Sequence, residues 1–199
     1  MATGTGVTLI AELHNDPERF DHAGRAYELL QEYFAGFPLE TLRPLLRSND
    51  IWTQRTASFI AAELGKESKP LVDDVIPLLD SADPHVQDYA MQVLAVCGEG
   101  DRADLFALVA RKLASEHEGL RWEARNLLAN ASVPQLETAA RFLAGQRDQE
   151  GHERGLRALA GAERMASHEV DSMFEDPDPL IQRYGAVVRE RIKRLQSRR

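Results

Sequence analysis

Cysteine is almost absent from this chain of 199 residues. The only one is Cys97, so the chain can form neither an internal disulfide nor a four-cysteine zinc site. No apolar run approaches the ~18 residues that a membrane-spanning helix requires. The first ten residues lack the basic and apolar regions of a signal peptide. These absences favour a cytoplasmic protein of bacterial type.

The usual motifs of enzymes are missing as well. The sequence contains no Gly-x-Ser-x-Gly nucleophile elbow and no Gly-x-x-x-x-Gly-Lys phosphate loop. None of its three His-Glu dipeptides extends to the zinc-binding His-Glu-x-x-His. Cys97 falls on the apolar side of a helical pattern, which favours a buried packing role over a nucleophile. We therefore expect a non-enzymatic protein with no catalytic residue, no metal and no cofactor.

The apolar composition predicts helices. The chain holds 26 alanines and 25 leucines, against 11 valines and 6 isoleucines. Alanine and leucine, which are not branched at Cβ, favour helices, whereas the β-branched valine and isoleucine suit strands. Apolar residues recur at helical spacing, and no segment alternates with the period of a strand. The expected fold class is all-α.

Residues typical of helix ends support this prediction. An aspartate followed by proline favours a helix start. The carboxylate accepts a backbone N–H of the first turn, and proline has no N–H that would need a partner there. Such pairs occur at Asp16-Pro17, Asp83-Pro84 and Asp178-Pro179. Glycines that favour a helix end follow apolar runs at Gly36, Gly65 and Gly98.

A repeat of 30 to 34 residues runs through most of the chain. A small residue near the start of a helix recurs at Ala57, Ala90, Ala124, Gly155 and Gly185. A shorter apolar helix precedes each copy, with the marker residues Leu42/Leu45/Leu46, Val75/Ile76/Leu79, Leu105/Leu108/Leu113, Leu136/Phe142/Leu143 and Val170/Met173/Phe174. One helix pair cannot bury its own apolar face, whereas stacked pairs share a continuous core. The small residue is expected to allow the two helices of a pair to approach closely.

The turn before each small residue resembles that of HEAT repeats, roughly Asp-Pro-x-Val-Arg-x-x-Ala followed by Leu-Gly. Residues 83–87 and 178–182 match it best, and the resemblance covers about residues 39–196. The usual arginine survives as Arg121, while the other copies have Gln54, Gln87, His152 and Gln182. The resemblance implies an α-solenoid of about five stacked HEAT-like helix pairs. Tetratricopeptide and ankyrin signatures, which share this period, are missing.

The remaining segments complete the expected domain organisation. We expect a flexible N-terminus over residues 1–6 and a single repeat domain over residues 7–199. Within that domain, residues 7–37 form a helical cap of one or two helices, and residues 38–199 form the helix pairs. The apolar stripe of the cap is expected at Ala26, Leu29, Leu30 and Phe34.

The resemblance also implies where a partner binds, because the second helices of HEAT-like pairs line a concave surface. The positions beside the small residues are the candidate partner-binding residues Arg55, Phe59, Asp88, Tyr89, Gln92, Trp122, Arg125 and Asn126. The same columns continue at Arg154, Arg157, Arg183 and Tyr184. Tyrosine, tryptophan and arginine anchor many interfaces. Packing against neighbouring helices is an equal alternative for Phe59, whereas Trp122 is expected to be exposed.

Charge is distributed unevenly along the chain. The formal net charge is −8, and residues 1–100 hold 16 acidic and 7 basic side chains, whereas residues 101–199 hold 16 acidic and 17 basic ones. The acidic half would steer a basic partner towards the protein. The basic run over residues 189–199 closes the last helix, where the helix dipole favours cations.

We therefore expect an acidic scaffold that binds a protein partner on the concave face. One version of this role is an inhibitor or immunity-type protein for a toxin. The alternative is a HEAT-like DNA glycosylase that holds alkylated duplex, with Asp88, Trp122 and Arg125 as the nearest approach to its pocket. The net charge of −8 opposes the phosphate attraction on which such an enzyme depends. No residue supports a bilin lyase-like role, and the oligomeric state is left open.

Overall fold

The computed structural model describes residues 4–97 and 104–197, and over these ranges it contains helices and no strand. The all-α prediction is therefore confirmed. Packing divides the chain into two compact units, Met1–Cys97 and Gly98–Arg199, where the sequence predicts one domain. Within the described ranges, no helix combines the length and apolar character needed to cross a membrane.

The first unit contains seven α-helices in its described residues. They are α1 (Gly4–Asn15), α2 (Pro17–His22), α3 (Arg25–Phe34), α4 (Leu42–Leu46), α5 (Ile51–Glu63), α6 (Val72–Val75) and α7 (Pro84–Cys97). Short 3₁₀ helices lie at Leu39–Thr41, Gly65–Leu71 and Ile76–Asp80. Between α5 and α7 the chain stays in short helical pieces, because Pro70 and Pro77 each remove a backbone N–H.

The segment predicted to form the N-terminal cap differs in detail from its prediction. It contains three helices, and residues 4–6, expected in a flexible start, belong to α1, where Gly6 packs against Phe37. Residues 1–3 lie outside the described ranges. Ala26, Leu29 and Leu30 are buried as expected, but Phe34 is 52% exposed and Tyr33 is buried in its place. The apolar stripe of α3 therefore differs from its prediction at its last position alone.

The second unit contains α8 (Asp104–Arg111), α9 (Glu118–Asn130), α10 (Val133–Leu143), α11 (Glu150–Ala160), α12 (Ser167–Phe174) and α13 (Pro179–Gln196). Two 3₁₀ turns follow α8 and α11, at Lys112–Ala114 and Ala162–Arg164. Helix α13 packs against both α9 and α11. A simple succession of stacked pairs would place α11 between α9 and α13, so this unit departs from that order. Phe142, expected in the core, is 45% exposed on α10.

The predicted helix ends are confirmed where the structure describes them. Asp16, Asp83 and Asp178 each accept a backbone N–H from the first turn of α2, α7 and α13. Gly36 and Gly65 have positive φ angles of 93° and 57°, which an L-residue rarely adopts, and each follows a helix. Gly98 lies outside the described residues.

Four turns share one pattern of hydrogen bonds, and we call them the repeat turns: residues 48–54, 81–87, 115–121 and 176–182. In each, the last side chain reaches back to the carbonyl of the first residue. The donor–acceptor distances are 2.7 Å for Gln54 to Ser48, 2.6 Å for Gln87 to Ser81, 2.9 Å for Arg121 to Ser115 and 2.8 Å for Gln182 to Asp176. Glutamine thus makes the hydrogen bond that arginine makes in the third copy. The three copies that have glutamine where the HEAT pattern has arginine therefore keep the same turn.

The first side chain of each repeat turn also accepts the N–H two residues later. This hydrogen bond joins Ser48 to Asp50, Ser81 to Asp83, Ser115 to His117 and Asp176 to Asp178. The first residue of each turn therefore accepts two hydrogen bonds from within the turn, one at its carbonyl and one at its side chain. The small residues that follow are buried, with Ala57, Ala90 and Ala124 each at 0% exposure.

The fourth copy of the repeat, which has His152 in place of glutamine, packs differently from the others. His152 takes the place of the glutamine, but it is buried and its Nδ1 lies 3.1 Å from the Tyr184 hydroxyl. The Tyr184 ring fills the space beside Gly155, where a Cβ would lie 2.1 Å from the ring. The small residue here admits a ring from α13, the second helix of the following pair. At Gly185 the expected approach of the two helices within a pair is seen, since a Cβ would lie 3.0 Å from Met173 on α12.

Candidate interaction surfaces

An aromatic row, made of Tyr27, Phe59 and Tyr89, crosses α3, α5 and α7 of the first unit. The centroid of the Phe59 ring lies 5.0 Å from that of Tyr27 and 5.7 Å from that of Tyr89, both edge to face. Aromatic pairs prefer this arrangement. Tyr27 is 62% exposed, and the other two are half-buried. The row therefore presents ring surface to solvent while its members hold one another in place.

Aspartates border the aromatic row. Burial raises the pKa of Tyr89, and the charges of Asp88 and Asp21 raise it further. Burial likewise raises the pKa of Asp21 above its ordinary value, although the charge of Arg55 opposes this shift. Both carboxylates thus act on the Tyr89 hydroxyl, while the charge of Arg55 acts on it in the opposite direction. Two carboxylates against one guanidinium favour a cation over an anion around the row.

Arg55 is held by the first unit itself. Its Nε donates to the Asp83 carboxylate at 3.0 Å, and its guanidinium lies 4.6 Å from the centroid of the Trp52 ring and 3.9 Å from Asp21. Burial acts to raise the pKa of Asp83, but hydrogen bonds from Arg55 and the His85 backbone outweigh it, so that pKa is lowered. Arg55 thus links α5 to the start of α7.

The other predicted residues of the first unit lie on the same surface. Gln92 donates to the Asp88 carboxylate at 3.0 Å, one turn along α7, and both side chains are half-buried. The packing expected as the alternative for Phe59 is seen, since its ring contacts two others, and the residue also stays partly exposed. The five predicted residues of this unit therefore lie on the neighbouring helices α5 and α7, where Phe59 contacts Tyr89 and Gln92 contacts Asp88.

A cleft of about 180 Å³ lies between α9 and α13 in the second unit. We call it the Trp122 cleft; its lining residues are Leu113, Glu118, Arg121, Trp122, Arg125, Arg183 and Ala186. The prediction that Trp122 is exposed is confirmed, since 61% of this residue is accessible. Its neighbours in the cleft include three arginines and one glutamate. The predicted residue Asp88 belongs to the first unit.

Arg125 and Asn126 lie where α9 meets α13. Arg125 Nη2 donates to Glu190 at 2.9 Å, and Arg194 Nη2 donates to Asn126 Oδ1 at 3.4 Å and pairs with Glu190. Burial acts to raise the pKa of Glu190, but the hydrogen bonds from the two arginines outweigh it and lower that pKa. One carboxylate thus serves two cations at the edge of the Trp122 cleft.

The remaining columns of the second unit are divided: Arg183 lines the Trp122 cleft, whereas Arg154 and Arg157 are exposed and form ion pairs. Arg154 pairs with Asp176, and Arg157 Nε donates to Glu153 at 3.0 Å. The expectation that Tyr184 belongs to a binding column is wrong, because it is fully buried. Its ring occupies the space that Gly155 leaves between α11 and α13.

The arginines near the end of α13 are used within the second unit. Arg189 pairs with Asp171 at 2.9 Å. Arg191 is buried, and its Nη1 donates to the carbonyls of Ala129 and Ala131 at 3.1 and 2.6 Å. Residues 198 and 199 lie outside the described ranges. This part of the basic run therefore serves the packing of α13.

The described residues contain no group of three histidine, cysteine, aspartate or glutamate side chains placed to hold a metal ion. Cys97 is buried, as its helical position predicts, with Sγ 3.5 Å from the Gly65 carbonyl oxygen. The carboxylate of Asp74, also buried, is bound by Arg43 and Arg47. These groups stabilise the helices around them.

Sequence reasoning missed Tyr27 and the Trp122 cleft. Tyr27 lies in the cap, before the first repeat, so alignment of the repeats could not place it. Its position beside Ala26, just off the apolar stripe of α3, was the available signal. The cleft depends on the packing of α13 against α9, which a regular repeat does not predict.

Comparison with known proteins found neither a protein-family model nor a curated protein that matches the chain. The resemblance to HEAT repeats therefore rests on the turns and small residues of the sequence. Two surfaces of the molecule bear on its function, the aromatic row with its aspartates and the Trp122 cleft.

Proposed function

We propose that this chain is a non-enzymatic interaction module that binds a basic protein partner through the aromatic row and its bordering aspartates. One observation carries the proposal, namely the exposed ring surface of Tyr27, Phe59 and Tyr89 beside the carboxylates of Asp21 and Asp88. Aromatic side chains bury much apolar area at little cost in conformational entropy, and they anchor many protein interfaces. The aspartates supply the charge that selects a cationic partner.

The fold already contains an example of this chemistry. Arg55 lies against the Trp52 ring and pairs with Asp83. A lysine or arginine of a partner, placed over the aromatic row, would find the same combination of ring face and carboxylate. A cation on an exposed ring contributes about 0.5–1 kcal/mol. Several such contacts, with the ring area they bury, support a specific complex.

The charge of the first half supports the same choice of partner. Residues 1–100 carry 16 acidic and 7 basic side chains. Such a field accelerates the encounter with a basic protein and loses this effect as salt rises. An inhibitor or immunity-type protein that neutralises a basic toxin is one form of this function. In a HEAT-like arrangement, α5 and α7 would be the second helices of the first two pairs.

The proposal is tested by capture of partners from the source cells, followed by reconstitution from purified proteins. Two variants weaken the surface with little risk to the fold: Tyr27→Ala removes an exposed ring, and Asp88→Asn removes one charge. Phe142→Ala and Glu40→Gln are their matched controls, because both residues are exposed and lie elsewhere. We expect one basic protein that binds the wild type and both controls, with affinity lowered about tenfold in each surface variant.

Two results would contradict this function. A reconstituted partner that binds both surface variants as tightly as the wild type would place the interface elsewhere. A partner whose affinity does not fall between low and high salt would remove the electrostatic part of the argument.

A DNA-binding glycosylase is the second candidate, because the Trp122 cleft combines an exposed indole with guanidinium groups. Phosphate binding requires cations that remain available along the duplex. On α13, however, Arg189 pairs with Asp171, and Arg191 is buried against backbone carbonyls. We expect no micromolar binding of duplex DNA at low salt. Tight binding that weakens steeply with salt would favour the glycosylase.

A further inference from the structure

The Trp122 cleft has the shape of a small binding site. Its apolar lining comes from Trp122 and from Leu113 and Ala186, which we call the floor of the cleft. The volume of about 180 Å³ admits a side chain and not a folded domain. An exposed indole beside a concave apolar floor can cover the methylene groups of such a side chain.

The charge of the cleft is positive, and the hydrogen-bond partners explain why it stays so. Arg183 Nη1 donates to the Leu113 carbonyl at 2.6 Å. Arg121 Nη1 donates to the carbonyls of Ser115 and Glu116 at 2.9 and 2.7 Å. A carbonyl fixes a guanidinium in place but carries no net charge, so it does not neutralise the cation. Each guanidinium has five N–H groups, which leaves donors beyond those used here.

Arg125, the third arginine, also adds to the excess of positive charge in the cleft. Arg125 shares the Glu190 carboxylate with Arg194, so two cations meet one anion. Glu118 also lines the cleft and offsets part of the charge. With three arginines and one glutamate in the lining, the cleft is cationic.

We propose that the Trp122 cleft binds a carboxylate side chain, a glutamate or aspartate on an exposed peptide segment of a partner. The planar guanidinium groups match a carboxylate in geometry and charge, while the indole and the floor cover the aliphatic part of the side chain. A single carboxylate fits better than a polyanion, because the neighbouring arginines of α13 are used by Asp171 and by backbone carbonyls. This site lies outside the aromatic row and does not depend on the function proposed above.

Arg121 offers an unusually clean test. The equivalent residues Gln54, Gln87 and Gln182 make the same hydrogen bond in their own repeat turns. Arg121→Gln should therefore remove the charge from the cleft and keep the turn. Arg141→Gln is the matched control, because Arg141 is an exposed arginine on α10 that does not line the cleft.

The readout is the indole N–H signal of Trp122 in nuclear magnetic resonance spectra, with the Trp52 indole of the first unit as internal reference. The probes are the acetylated peptide amides Gly-Glu-Leu-Glu-Gly and Gly-Gln-Leu-Gln-Gly. We expect the glutamate peptide to shift the Trp122 signal saturably and to leave that of Trp52 unchanged. The glutamine peptide should bind the wild type about tenfold more weakly than the glutamate peptide does. The glutamate peptide should likewise bind Arg121→Gln about tenfold more weakly than it binds the wild type. Tenfold is the loss expected for one charge-assisted hydrogen bond.

The proposal fails if the two peptides bind equally, if Arg121→Gln binds as the wild type does, or if millimolar glutamate peptide leaves the Trp122 signal unmoved. A short duplex DNA that shifts Trp122 at lower concentration than the glutamate peptide would also overturn it, in favour of a nucleic-acid site. Unchanged binding by Arg141→Gln is required for the loss in Arg121→Gln to count as support.

Discussion

In the first unit both repeat turns have their full set of hydrogen bonds. In the second unit two of the three copies have this set, and the fourth copy of the repeat does not. In that copy His152 stands in place of glutamine and is buried against Tyr184. The surfaces of the units differ as well, since the first presents an aromatic row with aspartates and the second a tryptophan with arginines. A repeat pattern can therefore preserve local turns while packing and surface chemistry diverge.

The largest expected effect concerns the packing that replaces the lost turn. Gly155→Val should destabilise the second unit by about 3 kcal/mol or more, because a Cβ already lies 2.1 Å from the fully buried Tyr184 ring. Gly161→Ala is the control, since the nearest atom to its Cβ would lie 3.6 Å away. Urea unfolding followed by hydrogen exchange measures the loss and assigns it to a unit. Equal stability of the two variants would show that the ring does not depend on Gly155.

The second prediction concerns the loss of stability at low pH that the buried His152 causes. Burial, and to a lesser degree the charge of Arg111, lower the pKa of His152 to about 4, from 6.5 in the unfolded chain. The unfolded state therefore binds more protons between these values, so stability is complete above pH 6.5 and falls as the pH drops towards 4. The loss from pH 7 to pH 4.5 should be about 2 kcal/mol. It should appear in the second unit.

The replacement His152→Gln provides the control, because glutamine is the residue of three other copies and does not titrate. Urea titrations at both pH values should show a smaller pH dependence in this variant, by about the same 2 kcal/mol. If wild type and variant lose equal stability between pH 7 and pH 4.5, His152 is not the group responsible.

The smallest effect concerns the regular turns. Gln87→Ala removes the hydrogen bond to the Ser81 carbonyl and should cost about 1 kcal/mol. Gln87→Arg should restore most of this stability, because Arg121 makes the same hydrogen bond to Ser115 in the third copy. Thermal unfolding of the three proteins measures the difference. Equal losses in both variants would contradict the equivalence of the two side chains.

The parts of the fold that local chemistry determines were predictable from the sequence. Asp16, Asp83 and Asp178 act at helix starts as expected, and the alanines that mark the repeat are buried. These features depend on residues that are near one another in the chain. The helical fold class follows from the same kind of local signal.

What the sequence could not supply depends on distant contacts. Tyr184 occupies a repeat position that predicts exposure, but the missing side chain of Gly155 opens a space for its ring. Phe34 and Phe142 occupy apolar positions, yet they remain exposed. Five predicted binding residues of the first unit do lie together, whereas the Trp122 cleft depends on the contact of α13 with α9. A repeat model treats only successive pairs as neighbours, so it omits such contacts.

We expect the two units to recognise opposite charges. Amide and indole spectra of one labelled sample, titrated separately with N-acetyl-arginine amide and N-acetyl-glutamate amide, measure this difference within a single molecule. The arginine probe should shift the signals around Phe59 and Tyr89, and the glutamate probe should shift the Trp122 indole. Shifts at the same residues with both probes, or at neither surface, would contradict this expectation.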